Sequence, residues 1–238
     1  MKPVIFIRSY DRDFPWLTYC LRSLAKNAPD VTTIVVAPDF SGFEAPVRDN
    51  LHFRFCGLRH MDGYVDQQLC KLWADTVVAH IAPEATHIIH IDSDTVLTDS
   101  LDLLFSGGVP LMLRTPYSDL PKEAQVWKPC TERLIGWTVS HEYMRRFPLV
   151  YPVSLYAKLR NHLASLHGNE WQAWVDSIED RSISEFNLLG VYAYKHASEQ
   201  FVWVDTDVSP LPPLVVKQHW SWGGIAEHRA ELERLFPA

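Results

Sequence analysis

Apolar residues recur along this chain in two rhythms, short continuous runs that read as buried strands and 3.6-residue stripes that read as helices. The first run, Lys2-Pro3-Val4-Ile5-Phe6-Ile7, predicts a strand. Beyond the polar loop Arg8-Ser9-Tyr10-Asp11-Arg12-Asp13, the residues Phe14, Leu17, Leu21, Leu24 and Ala28 fall at helical spacing. A helix is therefore expected there, capped by Asp13 and with Pro15 in its first turn. Val31 to Ala37 and Leu51 to Phe55 predict two more strands. Strand, helix, strand with a right-handed crossover is how a parallel α/β sheet begins. A long helix is expected next, from about Tyr64 to His80, with Val65, Leu69, Leu72 and Thr76 on its core face. Gln67, Gln68 and Lys71 stand toward a polar neighbouring face.

The stretch that organises the rest is Thr86-His87-Ile88-Ile89-His90-Ile91-Asp92-Ser93-Asp94-Thr95. Its β-branched run suits a strand buried on both faces, and that strand must stop where the charges appear. Asp92 and Asp94 then lie at the carboxyl edge of the sheet, where open α/β sheets take their ligands. An Asp-X-Asp turn there can hold a hard divalent cation through oxygen and leave coordination positions for phosphate. Leu101 to Phe105 reads as one helical turn and Val109 to Leu113 as a strand.

From about Pro121 to Ile178 helical patterns dominate, including Tyr151 to Leu166, interrupted by Pro129, Pro148, Pro152 and Gly168. This predicts a helical insertion over the site, with Trp171 and Trp174 as core residues or as a stacking surface for a sugar. Ser182-x-x-Glu185 is the pattern of a capping box ahead of a helix that runs to about Tyr194. A late strand follows at Phe201 to Val204. Pro210, Pro212 and Pro213 forbid regular structure. Val215-Val216-Lys217 signals a strand before His219, and Ile225 to Phe236 reads as a closing amphipathic helix.

At 238 residues and 47 % hydrophobic content the chain can bury a full core, and one domain is expected, an N-terminal half over 1–114 and a second half over 115–238. The net charge of -7 argues against unspecific binding to nucleic acid, so a phosphate-bearing substrate needs a local cation. Cys20, Cys56, Cys70 and Cys130 are too scattered for a zinc knuckle or a disulfide framework, and free, mostly buried thiols are expected. With no long apolar run, the expectation is a cytoplasmic protein without a membrane span. His87 and His90, three apart on a strand, point to opposite faces and cannot chelate as a pair. His52, His60, His141, His162, His167, His196 and His228 read as structural.

Two families place an Asp-X-Asp after an apolar strand. Asp92-Ser93-Asp94-Thr95-Val96-Leu97 resembles the first motif of haloacid-dehalogenase-type phosphatases, in which Asp92 would be the nucleophile. That motif normally sits on the first core strand, and the further acidic pair it requires finds only Asp205 and Asp207 here. The wider pattern resembles glycosyltransferases of the GT-A fold. Gly63-Tyr64, Gln67-Gln68-Leu69, Lys71-Leu72 and Ser184-Glu185-Phe186-Asn187-Leu188-Leu189-Gly190 are similar to small bacterial and phage glycosyltransferases, over roughly residues 1–105 and 182–222. The resemblance implies an α/β, Rossmann-like βαβ half with a mixed sheet and a helical acceptor-side insertion. It implies a nucleotide-sugar donor, of which a UDP-sugar is the commonest, and a saccharide, lipid-linked or other hydroxyl acceptor, with a modified DNA base less favoured by the charge. Donor contacts would come from Arg8, Ser9, Tyr10, Asp11, Gln67, Gln68, Lys71, Asp92, Ser93 and Lys217. Mn²⁺ or Mg²⁺ would be held by Asp94 and His219, and Glu185 would be the catalytic carboxylate. A carbohydrate- or nucleotide-binding domain without turnover is the alternative outside enzymes.

Overall fold

The computed structural model describes every residue except 58, 59, 61, 145–147, 176–181, 208–210 and 238, together with all side chains of the rest but those of 173, 174 and 222. In chain order its elements are β1 (Pro3–Arg8), α1 (Phe14–Asn27), β2 (Thr33–Ala37), β3 (Leu51–Phe55), α2 (Gly63–Lys71), α3 (Ala74–Ile81), β4 (His87–His90) and β5 (Thr95–Leu97). There follow β6 (Phe105–Ser106), β7 (Val109–Pro116), α4 (Lys128–Ile135), β8 (His141–Glu142), β9 (Leu149–Pro152), α5 (Val153–His167) and α6 (Trp171–Val175). The chain closes with α7 (Glu185–His196), β10 (Val202–Asp205), β11 (Val216–Gln218) and α8 (Arg229–Leu235).

The main sheet has the order β3-β2-β1-β4-β9. Its first four strands are parallel, as the N-terminal βαβ pattern requires, and β9 runs antiparallel to β4. Alternation along the strands divides the core in two. Val4, Phe6, Ile34, Val36, Ile88, Leu149 and Tyr151 face one apolar cluster, shared with α2, α3, α5 and α7. Ile5, Ile7, Val35, Ile89 and Val150 face another, shared with α1. Both faces are covered, which is why these strands are apolar throughout and not alternating. The order reverses between β1 and β4, so the loops after these two strands frame a crevice at the switch point. The architecture is α/β with a mixed, Rossmann-like sheet.

A smaller sheet, β10-β7-β6 with β8 also on β7, follows the Asp-X-Asp. Its β6–β7 hairpin turns on Gly107 and Gly108 at φ 57° and 82°, the paired left-handed residues of a tight hairpin. The tail then returns: β11 pairs antiparallel with β5, Gln218 opposite Thr95, and brings the residues after it over Asp94. Behind this ribbon, Trp16 and Tyr19 of α1 pack with Val96, Leu232 and Phe236.

Several expected boundaries move. The expected helix over 64–80 is two helices, because Arg160 takes the Leu72 carbonyl at 2.7 Å and clamps Asp75 at 2.6 and 2.8 Å, and its guanidinium lies 4.2 Å over the Trp73 ring. Tyr151 and Pro152 belong to β9 and not to the helix after them; the Leu-Val-Tyr run pairs with β4, and the helix begins at Val153. The segment expected to be a helical insertion thus supplies a sheet strand as well as helices. Trp171 is buried in the larger core cluster, while the Trp174 side chain lies outside the described residues. The closing helix is shorter than expected, Arg229–Leu235. None of the four cysteines is in a disulfide, and three of them are buried. No helix among the described residues is long and apolar enough to cross a membrane.

Candidate functional site

At the carboxyl edge of β4 the chain opens into a cavity of about 620 Å³. Five carboxylates line it, Asp13, Asp92, Asp94, Glu142 and Glu185, against a single cationic side chain among the described lining residues, Lys71. The six arrive from five places in the chain: Asp13 from the turn before α1, Lys71 from the last residue of α2, Asp92 and Asp94 from the β4–β5 turn, Glu142 from β8 and Glu185 from the first turn of α7.

Lys71 is 2 % exposed, with Nζ 2.8 Å from Asp92 Oδ1 and 3.0 Å from Glu185 Oε1, and 4.7 Å from the centre of the Phe186 ring. Burial alone would pull its pKa down, but the charges of Asp92 and Glu185 outweigh burial and hold it above the ordinary lysine value. Glu185 is raised by burial, with Lys71 opposing the rise. Gln68 fixes the same corner by accepting the Glu185 N–H at 3.2 Å. The capping box expected from Ser182 does not form. Ser184 is the cap, accepting the Asn187 N–H at 3.2 Å, and this leaves the Glu185 carboxylate to Lys71.

Asp94 is finished differently. The Ser221 N–H donates to Oδ2 at 2.8 Å, whereas Oδ1 is buried without a well-formed hydrogen bond, the Gln218 amide lying nearby. Burial, with the charges of Asp92 and Asp13 adding to it, raises its pKa to about 6. Asp13 makes no cap for α1; its Oδ2 receives the Ser93 hydroxyl at 3.5 Å, and burial raises its pKa too. Ser221 is aimed by Trp220, whose φ of 56° is the only left-handed value at a non-glycine among the described residues. A residue held there costs about 1–3 kcal/mol and marks a backbone position that its surroundings over-determine.

Of the residues the sequence nominated, Gln67, Gln68, Lys71, Asp92, Ser93, Asp94 and Glu185 all line the cavity. Arg8, Ser9, Tyr10 and Asp11 do not. Arg8 is buried against Asp66 at 2.5 Å and donates to the Ser9 carbonyl, its guanidinium 4.3 Å over the Tyr10 ring, and Tyr10 donates to the Gly63 carbonyl. These contacts tie the β1 loop to the start of α2 and put Asp13, three residues on, at the cavity. Lys217 is turned outward to Glu231 at 2.8 Å; alternation along β11 gives the inward place to Gln218. His219 sits beside Asp94 through its backbone, donating N–H to the Asp94 carbonyl at 2.9 Å. Its ring is stacked on Trp16 at 5.4 Å and set edge-on to His228 at 4.8 Å, and it is not among the lining residues. Packed in this way on Trp16 and His228, the ring keeps its Nε2 buried without a hydrogen bond. No group of three His, Cys, Asp or Glu side chains able to hold a metal occurs among the described residues. His90, expected to be structural, is buried against Tyr156 O–H at 2.5 Å and kept neutral by burial and by the nearby Lys71.

Sequence reasoning missed Glu142, Trp127, Met144 and Gln218. A strict period-2 reading of Val216-Lys217-Gln218 separates Lys217 from Gln218; Glu142 stands in a segment without periodicity and gives no signal. Compared with known proteins, the chain matches no family model and no curated protein.

Proposed function

We propose that this chain is a GT-A-type, metal-dependent glycosyltransferase that moves a sugar from a nucleoside diphosphate, most simply UDP, to an acceptor hydroxyl. The observation that carries the reading is the joining of Asp92, Asp94, Lys71 and Glu185 in one cavity at the switch point of the sheet. A diphosphate entering so acidic a place needs a cation, and Lys71 is already shared by two carboxylates.

The residues suit Mg²⁺ or Mn²⁺ as far as two hard oxygen donors go. Asp94 Oδ1 is buried and lacks a well-formed partner, and these ions are commonly held by one or two carboxylates with substrate phosphates completing the shell. When bound, such an ion supplies Lewis-acid stabilisation of the departing diphosphate. The chain's own groups do the rest in this reading. Lys71 keeps Asp92 and Glu185 apart as anions and in fixed orientation. Gln67 and Gln68 offer amides along α2 to the donor. Glu185, on the acceptor side, is the carboxylate that receives the acceptor hydroxyl proton in an inverting transfer or faces the donor sugar in a retaining one.

The phosphatase reading loses its second acidic pair: Asp205 lies on β10, bound to Arg114 at 2.5 Å, away from the cavity. Incubation with a panel of nucleotide sugars, with and without Mn²⁺, tests the proposal. Metal-dependent release of nucleoside diphosphate is expected, falling by at least about a thousandfold in Asp94→Ala. Trapping of an aspartyl phosphate on Asp92 would favour the phosphatase, and tight nucleotide binding without turnover would favour a binding module.

A further inference from the structure

Two of the four thiols meet behind the cavity wall. Cys56 stands just past the end of β3, its N–H on the Ala37 carbonyl at 3.0 Å, and Cys70 lies in the last turn of α2. Cys70 is buried in the larger core cluster, and Cys56 packs against that cluster. Their thiols are in hydrogen-bonding contact with each other, and the Arg8 guanidinium acts on both. The other two lie elsewhere: Cys20 on α1 donates toward the Asp92 carbonyl at 3.8 Å, and Cys130 is buried on α4.

Thiols already in contact have made most of the approach that a disulfide requires, since the sulfurs need only close to about 2.0 Å. The chain can yield at the Cys56 end. Phe55 before it is 75 % exposed, and at the exposed Gly57 after it no atom stands within 4 Å of where a Cβ would lie.

The two sulfurs are not equivalent. Cys56 is half-buried and beside a cation, the setting in which a cysteine reacts as its thiolate. The hydrogen-bonded Cys56 thiol, followed by burial, raises the Cys70 thiol above the ordinary cysteine value, with Arg8 opposing the rise. Cys56 is thus the sulfur that meets an oxidant. Once it is oxidised the thiol that most holds Cys70 protonated is gone, and Cys70 becomes the better nucleophile to resolve it.

We propose that Cys56 and Cys70 form a redox-reversible disulfide site whose oxidant is hydrogen peroxide. The Cys56 thiolate attacks a peroxide oxygen; the S–O bond forms, the O–O bond breaks and hydroxide leaves, taking up the proton that the thiol had given. Cys70 sulfur then attacks Cys56 sulfur; the S–S bond forms, the S–O bond breaks and the departing hydroxide takes the Cys70 proton. Two thiols lose two electrons, and one peroxide becomes two waters. The cross-link joins the edge strand of the main sheet to the turn of α2 that ends in Lys71, and it stands independently of the reaction assigned to the cavity.

In the test, the native full chain is reduced, freed of reductant, treated with hydrogen peroxide, then denatured in iodoacetamide and weighed intact. Two alkyl groups are expected where the untreated chain takes four, with Cys56 joined to Cys70 in the non-reducing digest and all four restored by dithiothreitol. Cys56→Ser should take up alkyl groups on all its remaining cysteines with or without peroxide. Cys70→Ala should accumulate a sulfenic acid on Cys56, trapped by dimedone; if that variant folds poorly, Cys56→Ser and the wild-type digest carry the test. Full alkylation of the wild type after peroxide would overturn the site. So would a digest joining Cys56 to Cys20, to Cys130 or to a second copy, or a Cys56 driven to sulfinic acid while Cys70 is still alkylated.

Discussion

Two acidic corners of one cavity, set by aspartates a single residue apart, are completed in opposite ways. At the Asp92 corner a buried lysine lies 2.8 and 3.0 Å from two carboxylates, and the charges are settled within the protein. At the Asp94 corner the described partners are neutral, the Ser221 N–H and the Gln218 amide around Asp94 and the Ser93 hydroxyl at Asp13. The first corner is part of what holds α2, β4 and α7 together. The second carries a charge that the fold tolerates and that an incoming cation would relieve. The same Asp-X-Asp therefore joins a carboxylate paired with a buried lysine to one whose described partners are all neutral.

The largest effect should follow from breaking the finished corner. Lys71→Met leaves Asp92 and Glu185 facing each other without their cation, and breaking one side of a buried ion pair typically costs about 3–5 kcal/mol. Denaturant unfolding should show this loss, with part of it recovered in Lys71→Met/Glu185→Gln. A single variant as stable as the wild type would erase the distinction between the corners.

The unfinished corner should respond in the other direction. Asp94 is raised to about 6 in the folded protein, above its unfolded value near 3.9. Its contribution to stability is thus fully present below the unfolded pKa and lost as pH rises through about 6. Two units correspond to roughly 2–3 kcal/mol. Asp94→Asn should accordingly melt higher than the wild type at pH 8, and the difference should vanish below pH 4. Mn²⁺ should raise the wild-type Tm above pH 6 and leave that of Asp94→Asn unmoved.

A smaller effect separates Asp94 from the histidine beside it. His219→Ala removes a ring packed on Trp16 and His228 and should lose about 1–3 kcal/mol, while the Mn²⁺ concentration for half-maximal activity stays the same. A shifted Mn²⁺ titration at unchanged stability would return His219 to the metal.

The N-terminal half was legible because each of its signals is local. Apolar runs gave β1, β2, β3 and β4, and the charges ending the Ile88–Ile91 run put the Asp-X-Asp at the sheet edge. Lys71 and Glu185 were nominated separately, but nothing in a linear pattern says that residues so far apart share one ion pair. The second half was harder for a physical reason. Leu149-Val150-Tyr151 is an apolar run too short to separate strand from buried helix, and its partner β4 lies far back in the chain. Glu142 owes its burial to contacts such as those of Tyr143 beside it with Asn187 and Gly190, which is a tertiary fact. At the tail, Lys217 and His219 were suitable chemical types, yet strand alternation turned one to Glu231 and aromatic packing took the other.

The central claim is that the Asp94 corner awaits a metal-bound nucleotide, and calorimetric titration of UDP into the full chain tests it most directly. With Mn²⁺ the account predicts saturable binding at least tenfold tighter than without it, and Asp94→Asn should bind UDP equally with or without the metal. Absence of UDP binding under both conditions, or binding indifferent to both Mn²⁺ and Asp94→Asn, would contradict it.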